Sequence, residues 1–320
     1  MRNFVRFFTL GLFLKSLWAV EPYVEERPAP WLTGPLLEPL GEVIPRGHYS
    51  INGYLFAGAN TGRYDSNWRF FSTPTFYTIN PQLFAVLGLT PWMDVQITPQ
   101  LQYNISQGKS AVHFGDLLLG FDFQLIKKCR YSWVPSIKVS VVETLPTGKY
   151  EKLDFTRVDR GGFGTFATDL DLLFYQMWEI NKRHFLTTFL SLAYTINTTV
   201  HVEGFNAYGG GYETKGKVYP GNYFTGTFSF EYSFNQRCSF AMDSQYIYTR
   251  KTGFSGNVGV VTDDGFSKIA VPASHQISFA PAIEYNFSPY FGIIAGVWFT
   301  AFGKNSLAFI EGAINIDYGY

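Results

Sequence analysis

Two short stretches set a histidine close to a serine. In His48-Tyr49-Ser50 the two are separated by one residue. On an extended strand that spacing puts both on one face, where an imidazole can take the proton of a serine nucleophile. In Ser274-His275-Gln276-Ile277-Ser278 the histidine has a serine on either side. Neither stretch lies in a longer hydrolase motif. The five histidines, His48, His113, His184, His201 and His275, include no i, i+2 ligand pair on one strand face and have no CxxC companion, so no metal is expected. Gly209, Gly210 and Gly211 lack the strand-turn-helix setting of a phosphate cradle and read as a surface loop. No catalytic residue and no cofactor is assigned, and the chain is not read as an enzyme.

The polar residues that do follow a pattern sit on one side of alternating segments. In the stretch 94–106, Val95, Ile97, Pro99, Leu101, Tyr103 and Ile105 face one way, and Gln96, Thr98, Gln100, Gln102 and Asn104 the other. Period-2 alternation marks a strand with one apolar and one polar face. The pattern recurs twelve times, at 48–58, 76–89, 94–106, 113–126, 131–143 and 166–180, then at 184–197, 223–234, 238–250, 274–287, 290–302 and 307–320. Short connections near 90–93, 127–130, 181–183, 235–237 and 288–290 alternate with longer ones. The longer ones are GRYDSNW and its flanks, the segment from Gly148 to Gly164, the Gly-rich 204–222, and Gly253 to Pro272. Short turns on one side and long loops on the other form the pattern of an outer-membrane barrel.

Charge decides which face meets which solvent. The middles of the twelve apolar faces hold no Asp, Glu, Lys or Arg, whereas the opposite faces hold Asp116, Asp122, Lys138, Asp169, Asp171, Glu231, Asp243, Glu284, Glu311 and Asp317. A basic group facing lipid at mid-bilayer costs about 2–4 kcal/mol, an acidic one less. The charged faces therefore turn inward, and these residues with Gln96, Gln100 and Gln102 are the expected lumen lining. A soluble barrel of twelve strands would enclose an apolar void, since about 8 strands already make an interior that side chains just fill. A sandwich would use strands nearer 5–6 residues. The expected fold is all-β, a membrane-spanning antiparallel up-and-down barrel of about 12 strands. At about 4.8 Å between strands and a tilt of roughly 40°, its backbone diameter is near 24 Å. Pro99, Pro135 and Pro281 fall inside strands and each forfeits a ladder hydrogen bond, so bulges are expected there. The span 290–302 is apolar on both faces, so part of its inner side should be covered by the lead-in or a loop.

The rest of the composition is consistent. The chain has 320 residues, 46% hydrophobic and 16% charged, below the usual figure of about 25% charged, with 25 basic and 25 acidic residues. No basic stripe exists to neutralise phosphates, so nucleic acid is not an expected partner. Residues 1–19, with Arg2 and Arg6 ahead of the apolar run Phe7 to Leu14, follow the plan of a secretory signal peptide. Residues 20–47 are a Pro-rich periplasmic lead-in, and 48–320 form the barrel. Cys129 and Cys238, the only cysteines, fall in or beside short turns on separated strands and are expected to stay unbridged. Lys127, Lys128, Arg130, Lys182, Arg183 and Arg237 cluster in the short turns.

The C-terminal INIDYGY alternates and ends on Tyr320, which resembles the signal by which the outer-membrane assembly machinery recognises its barrels. Further inside, GLTPWMDVQITPQ (88–100), GDLLLGFDFQL (115–125) and PSIKVSVVETLPTGKY (135–150) resemble the outer-membrane family named for the MetA pathway of phenol degradation. In that family a Gly-Asp pair opens a strand, here Gly115-Asp116, and Pro-Thr-Gly leads into a loop, here Pro146-Thr147-Gly148. The resemblance implies a barrel transporter or channel and carries over no catalytic residues. The chain thus reads as an outer-membrane channel of a Gram-negative-type bacterium, passing small solutes, aromatic ones among them, through an acidic lumen. Its expected partners are outer-membrane lipids, the assembly machinery and those solutes. Two alternatives stay open: a barrel enzyme of phospholipase type, and a plugged structural or adhesive barrel.

Overall fold

The computed structural model describes residues 29–38, 40–127, 133–181, 184–262, 265–266 and 268–319. The signal segment 1–19, the lead-in up to residue 28, Cys129, Lys182 and Tyr320 lie outside these. In chain order the strands are β1 (Tyr49–Tyr64), β2 (Phe70–Thr90), β3 (Met93–Thr98), β4 (Leu101–Ser106), β5 (Lys109–Phe114), β6 (Leu117–Ile126) and β7 (Ser136–Leu145). They continue with β8 (Ala167–Asn181), β9 (His184–Asn197), β10 (Val200–Glu203), β11 (Lys215–Tyr219), β12 (Tyr223–Ser233) and β13 (Cys238–Thr249). The last are β14 (Gly253–Asn257), β15 (Val260–Thr262), β16 (Gly265–Phe266), β17 (Ser274–Ser288), β18 (Phe291–Lys304) and β19 (Leu307–Gly319).

Twelve antiparallel walls close on themselves. Going round, each wall pairs with the next in chain order, and β1 completes the ring by pairing with both β2 and β19. All twelve alternating spans are therefore found, two of them divided. The span 94–106 becomes β3 and β4, broken at Pro99 and Gln100, and 113–126 becomes β5 and β6, broken at Gly115 and Asp116. Pro99 thus interrupts its strand as its missing N–H requires. Pro135 lies just ahead of β7 instead of within it. At Pro281 there is no bulge: the β17–β18 register is unchanged from Phe279↔Phe299 to Ala282↔Gly296.

The expected long loop at GRYDSNW is a tight turn. The Asp65 carboxylate accepts the N–H groups of Asn67 at 2.7 Å and Arg69 at 2.9 Å, so the turn closes locally and β1 and β2 run on past the barrel belt. The loops after β7, β9 and β13 are long. Strands β10, β11 and β14 from two of them form a small sheet whose core is Val200, Val202, Val218 and Ile269. Tyr150, from the loop after β7, packs against this core, so the three loops make one cap.

Burial is inverted relative to a water-soluble protein. Asn52, Asn104, Thr187, Ser229, Asp243 and Glu284 are wholly buried, while Ile51, Leu83, Leu190, Leu192, Ile283 and Ile316 stand exposed on the outside. An apolar belt around a polar interior is what a lipid-facing barrel requires. Extracted in mild detergent, the barrel is expected to migrate faster on a gel unboiled than boiled. Leu192→Arg on the belt, destabilising by about 2–4 kcal/mol if it sits at mid-bilayer, should deplete the fast band. Equal mobility of boiled and unboiled samples would contradict the closed barrel.

Candidate functional site

The interior is built around the lead-in, which lies inside the barrel. An extended chain without sheet partners presents peptide N–H groups that need acceptors once removed from water. The wall supplies them. Glu284 on β17 accepts both the Thr33 N–H and the Thr33 hydroxyl, the latter at 2.6 Å. The Asp243 carboxylate on β13 accepts Leu36 N–H at 3.1 Å, Gln124 on β6 accepts Val43 N–H at 2.8 Å, and Asp94 on β3 accepts Ile44 N–H at 2.7 Å. The Lys138 ammonium on β7 donates to Leu40 O at 2.8 Å. The segment therefore crosses the lumen in the short-turn half, from β17 and β13 on one side to β7, β6 and β3 on the other. It then joins the sheet edge, where Gly47 N–H donates to Gly88 O. Gly88 must be glycine at this contact, because a Cβ there would lie 2.1 Å from Pro45 O.

Prolines suit this segment. Pro30, Pro35 and Pro45 have no N–H to satisfy and favour the extended chain. Leu36 packs with Ile294 and Ala313 in the main apolar cluster, against which Trp298 also rests. That contact covers the inner side of β18, the strand whose sequence is apolar on both faces.

Above the segment lies a cavity of about 450 Å³, floored by Leu36, Leu37, Glu38 and Leu40. Gln96, Asp122, Lys138, Asp169 and Asp171 reach it from the wall. Asp122 pairs with Lys138 at 3.5 Å and accepts from Gln96 at 3.0 Å. Asp171 accepts the Ser191 hydroxyl at 2.7 Å, and Asp169 that of Thr195. A second cavity of about 270 Å³, lined by Gln102, Arg160, Trp298 and Glu311 among others, shares Phe56 and Gln82 with the first.

The remaining residues expected in the lumen lie away from the two cavities. Asp116 accepts the N–H groups of Gly148 and Phe163, each at 2.9 Å, and so ties down the long loop after β7. A Cβ at Gly162 would lie 2.1 Å from an Asp116 oxygen, so a larger residue there would displace this carboxylate. Thr147 donates to Gly115 O at 2.8 Å, which brings Gly-Asp and Pro-Thr-Gly into direct contact. Gln100 donates to Asp116 O at 2.8 Å. Asp317 accepts the Ser50 hydroxyl at 2.9 Å, and Glu231 is fully buried on β12.

Sequence patterning missed Asp94, Glu38, Tyr54 and Arg160. Asp94 opens a strand, and Glu38 sits in a stretch without alternation. Arg160 stands in a loop, where burial, with Arg157 nearby, pushes its guanidinium below the usual arginine range. Elsewhere in the cap, hydrogen bonds from Lys109 and Thr156 hold the Asp154 carboxyl low, and Lys152 and Lys215 do the same for Glu203.

The histidine and serine pairs do not assemble. Ser50 is buried against Asp317, while His48 is exposed. His275 meets the Tyr246 hydroxyl at 2.9 Å among outer aromatic rings, and Ser278 faces inward to accept from Trp298 at 3.0 Å. Among the described residues no cluster of three or more His, Cys, Asp or Glu is arranged to hold a metal ion.

No family model matches the sequence, and no curated relative matches it. Among solved structures the chain is similar to an outer membrane channel from Pseudomonas putida F1, with a TM-score of 0.63 over 88% of this chain and 98% of that one, at 13% identity. The fold is that of an outer-membrane β-barrel. The translocator domain of the autotransporter NalP from Neisseria meningitidis gives a TM-score of 0.47 at 9% identity, covering 87% of this chain and 90% of that one. The likeness to the outer membrane channel, at 13% identity, shows the architecture alone.

Hydrogen bonds to charged acceptors contribute about 1.5–3 kcal/mol each, so removing one should speed amide exchange in the segment it holds by roughly 10- to 100-fold. Glu284→Ala and Asp243→Ala are each expected to raise exchange at Thr33 to Leu36 in the folded barrel, and Glu284→Gln less so. Unchanged exchange in all three would show that the carboxylates do not hold the segment.

Proposed function

We propose that the protein is an outer-membrane channel that takes up small solutes and is closed in this structure by its own residues 29–47. The observation that carries this reading is the contrast between the two ends of the lumen. Two cavities meet at Phe56 and Gln82 towards the long-loop side, whereas a chain segment held by side-chain hydrogen bonds crosses the short-turn side. Passage then requires that segment to shift, which hydrogen bonds and a small apolar contact permit and a covalent or sheet-paired closure would not. The resemblance to the MetA-pathway family and the likeness in fold to an outer membrane channel support the same reading.

Export through a signal peptide at 1–19, assembly through the C-terminal signal ending at Tyr320, and long loops facing the cell exterior complete the proposal. The carboxylates of the central cavity favour cations over anions, an effect that salt screens over about 10 Å at 0.1 M. The crossing segment also favours a second reading, a permanently plugged structural or adhesive barrel. Planar-bilayer recordings separate the two. Deleting residues 29–47 is expected to convert small or absent conductance into a steady cation-preferring one, with the preference fading at high salt. A silent barrel after deletion, still heat-modifiable, would favour the structural reading, and anion preference would contradict the acidic lumen.

A further inference from the structure

Resting on the channel reading, we infer that the central cavity is a binding site for a protonated organic amine with a compact apolar body. Four carboxyl groups, those of Glu38, Asp122, Asp169 and Asp171, line it against a single ammonium, Lys138. Lys138 is already taken, by Asp122 at 3.5 Å and by Leu40 O at 2.8 Å. Among the described residues no salt bridge includes Glu38, Asp169 or Asp171, and the two aspartates meet only the hydroxyls of Ser191 and Thr195. A charged guest with N–H donors is what this set lacks.

Tyr54 is an independent observation. Its ring lines the same cavity and is 8% exposed, yet its hydroxyl has no protein partner. A buried hydroxyl left unpaired loses about 1–3 kcal/mol, which a guest's polar head would restore. The Tyr54 ring stacks on Phe56, centroids 5.6 Å apart, giving an aromatic surface beside the carboxylates on which an ammonium is also favoured. The opposite requirement, an apolar body, comes from Leu36, Leu37, Phe84, Leu118 and Leu173 on the floor and walls. Bare inorganic cations would gain nothing from these side chains. The volume, about 450 Å³, lies in the range of sites for small organic ligands, roughly 300–1,000 Å³. The approach from the long-loop side, through the second cavity, is charge-balanced, since Arg160 and Glu311 both line it.

Calorimetry on the full-length barrel in detergent tests this with three probes of one shape: 2-phenylethylammonium, 2-phenylethanol and 3-phenylpropionate. The ammonium should bind at least about tenfold tighter than the alcohol, with the propionate undetectable, and its advantage should shrink at high salt. Asp169→Asn with Asp171→Asn, which keeps acceptors for Thr195 and Ser191, should bring the ammonium down to the level of the alcohol. Tyr54→Phe should weaken it several-fold. Equal affinity for ammonium and alcohol in the wild-type barrel would overturn the inference whether or not the variants fold, and so would a double variant that folds and still prefers the ammonium. Solute flux after deletion of the crossing segment, together with equal binding of ammonium and alcohol by the full-length barrel, would refute the site and leave the channel. Tight ammonium binding in a barrel that never conducts would refute the channel and leave the site.

Discussion

The interior depends on peptide N–H groups that have no sheet to join. Once residues 29–47 enter the lumen, each N–H removed from water needs an acceptor, and an unmade bond costs about 1–3 kcal/mol. Asp94, Gln124, Asp243 and Glu284 supply those acceptors from four different strands. The same need accounts for the prolines of the segment, which remove donors, and for Gly88, which lets the backbone approach. Asp94, Asp243 and Glu284 in the short-turn half are thereby explained as anchors of a chain segment more than as the lining of a water-filled bore.

A division of labour among the inward charges follows. Near the short turns Asp94, Asp243 and Glu284 hold the crossing segment, and at the opposite rim Asp116 holds the loop after β7. Between them Asp122 and Lys138 neutralise one another, while Asp169, Asp171 and Glu38 are left beside the central cavity with an unpartnered Tyr54 hydroxyl. Chemistry available to a guest is concentrated in this middle layer, flanked above and below by groups already in use.

The barrel was legible because lipid outside and polar contacts inside impose a period of two on every wall, so twelve alternating spans predicted twelve walls. The inward direction of Asp243, Glu231 and Glu284 was readable for the same reason. Their partners were not. Alternation says which face a carboxylate occupies, but the acceptor role of Glu284 depends on Thr33, 251 residues away, in a stretch with no period at all. Glu38 and Tyr54 were missed on that account: one lies in the crossing segment, the other on an inner face where an aromatic residue carries no sign of charge. The turn at Asp65 was misjudged because Gly, Asp, Ser and Asn read equally as a long loop or as a side-chain-closed turn. What looked like two separate motifs, Gly115-Asp116 and Pro146-Thr147-Gly148, proves to be one contact joining a strand break to a loop.

The central claim is that the crossing segment must leave its carboxylate anchors before anything passes. The most direct measurement is flux through a barrel in which Thr33→Cys and Glu284→Cys form a disulfide, with Cys129 and Cys238 replaced by Ser, before and after reduction in the same liposomes. The account predicts no solute uptake while the bridge is closed and uptake on reduction. Equal uptake in both states would show that solutes move past a fixed segment, and the closure described here would be wrong.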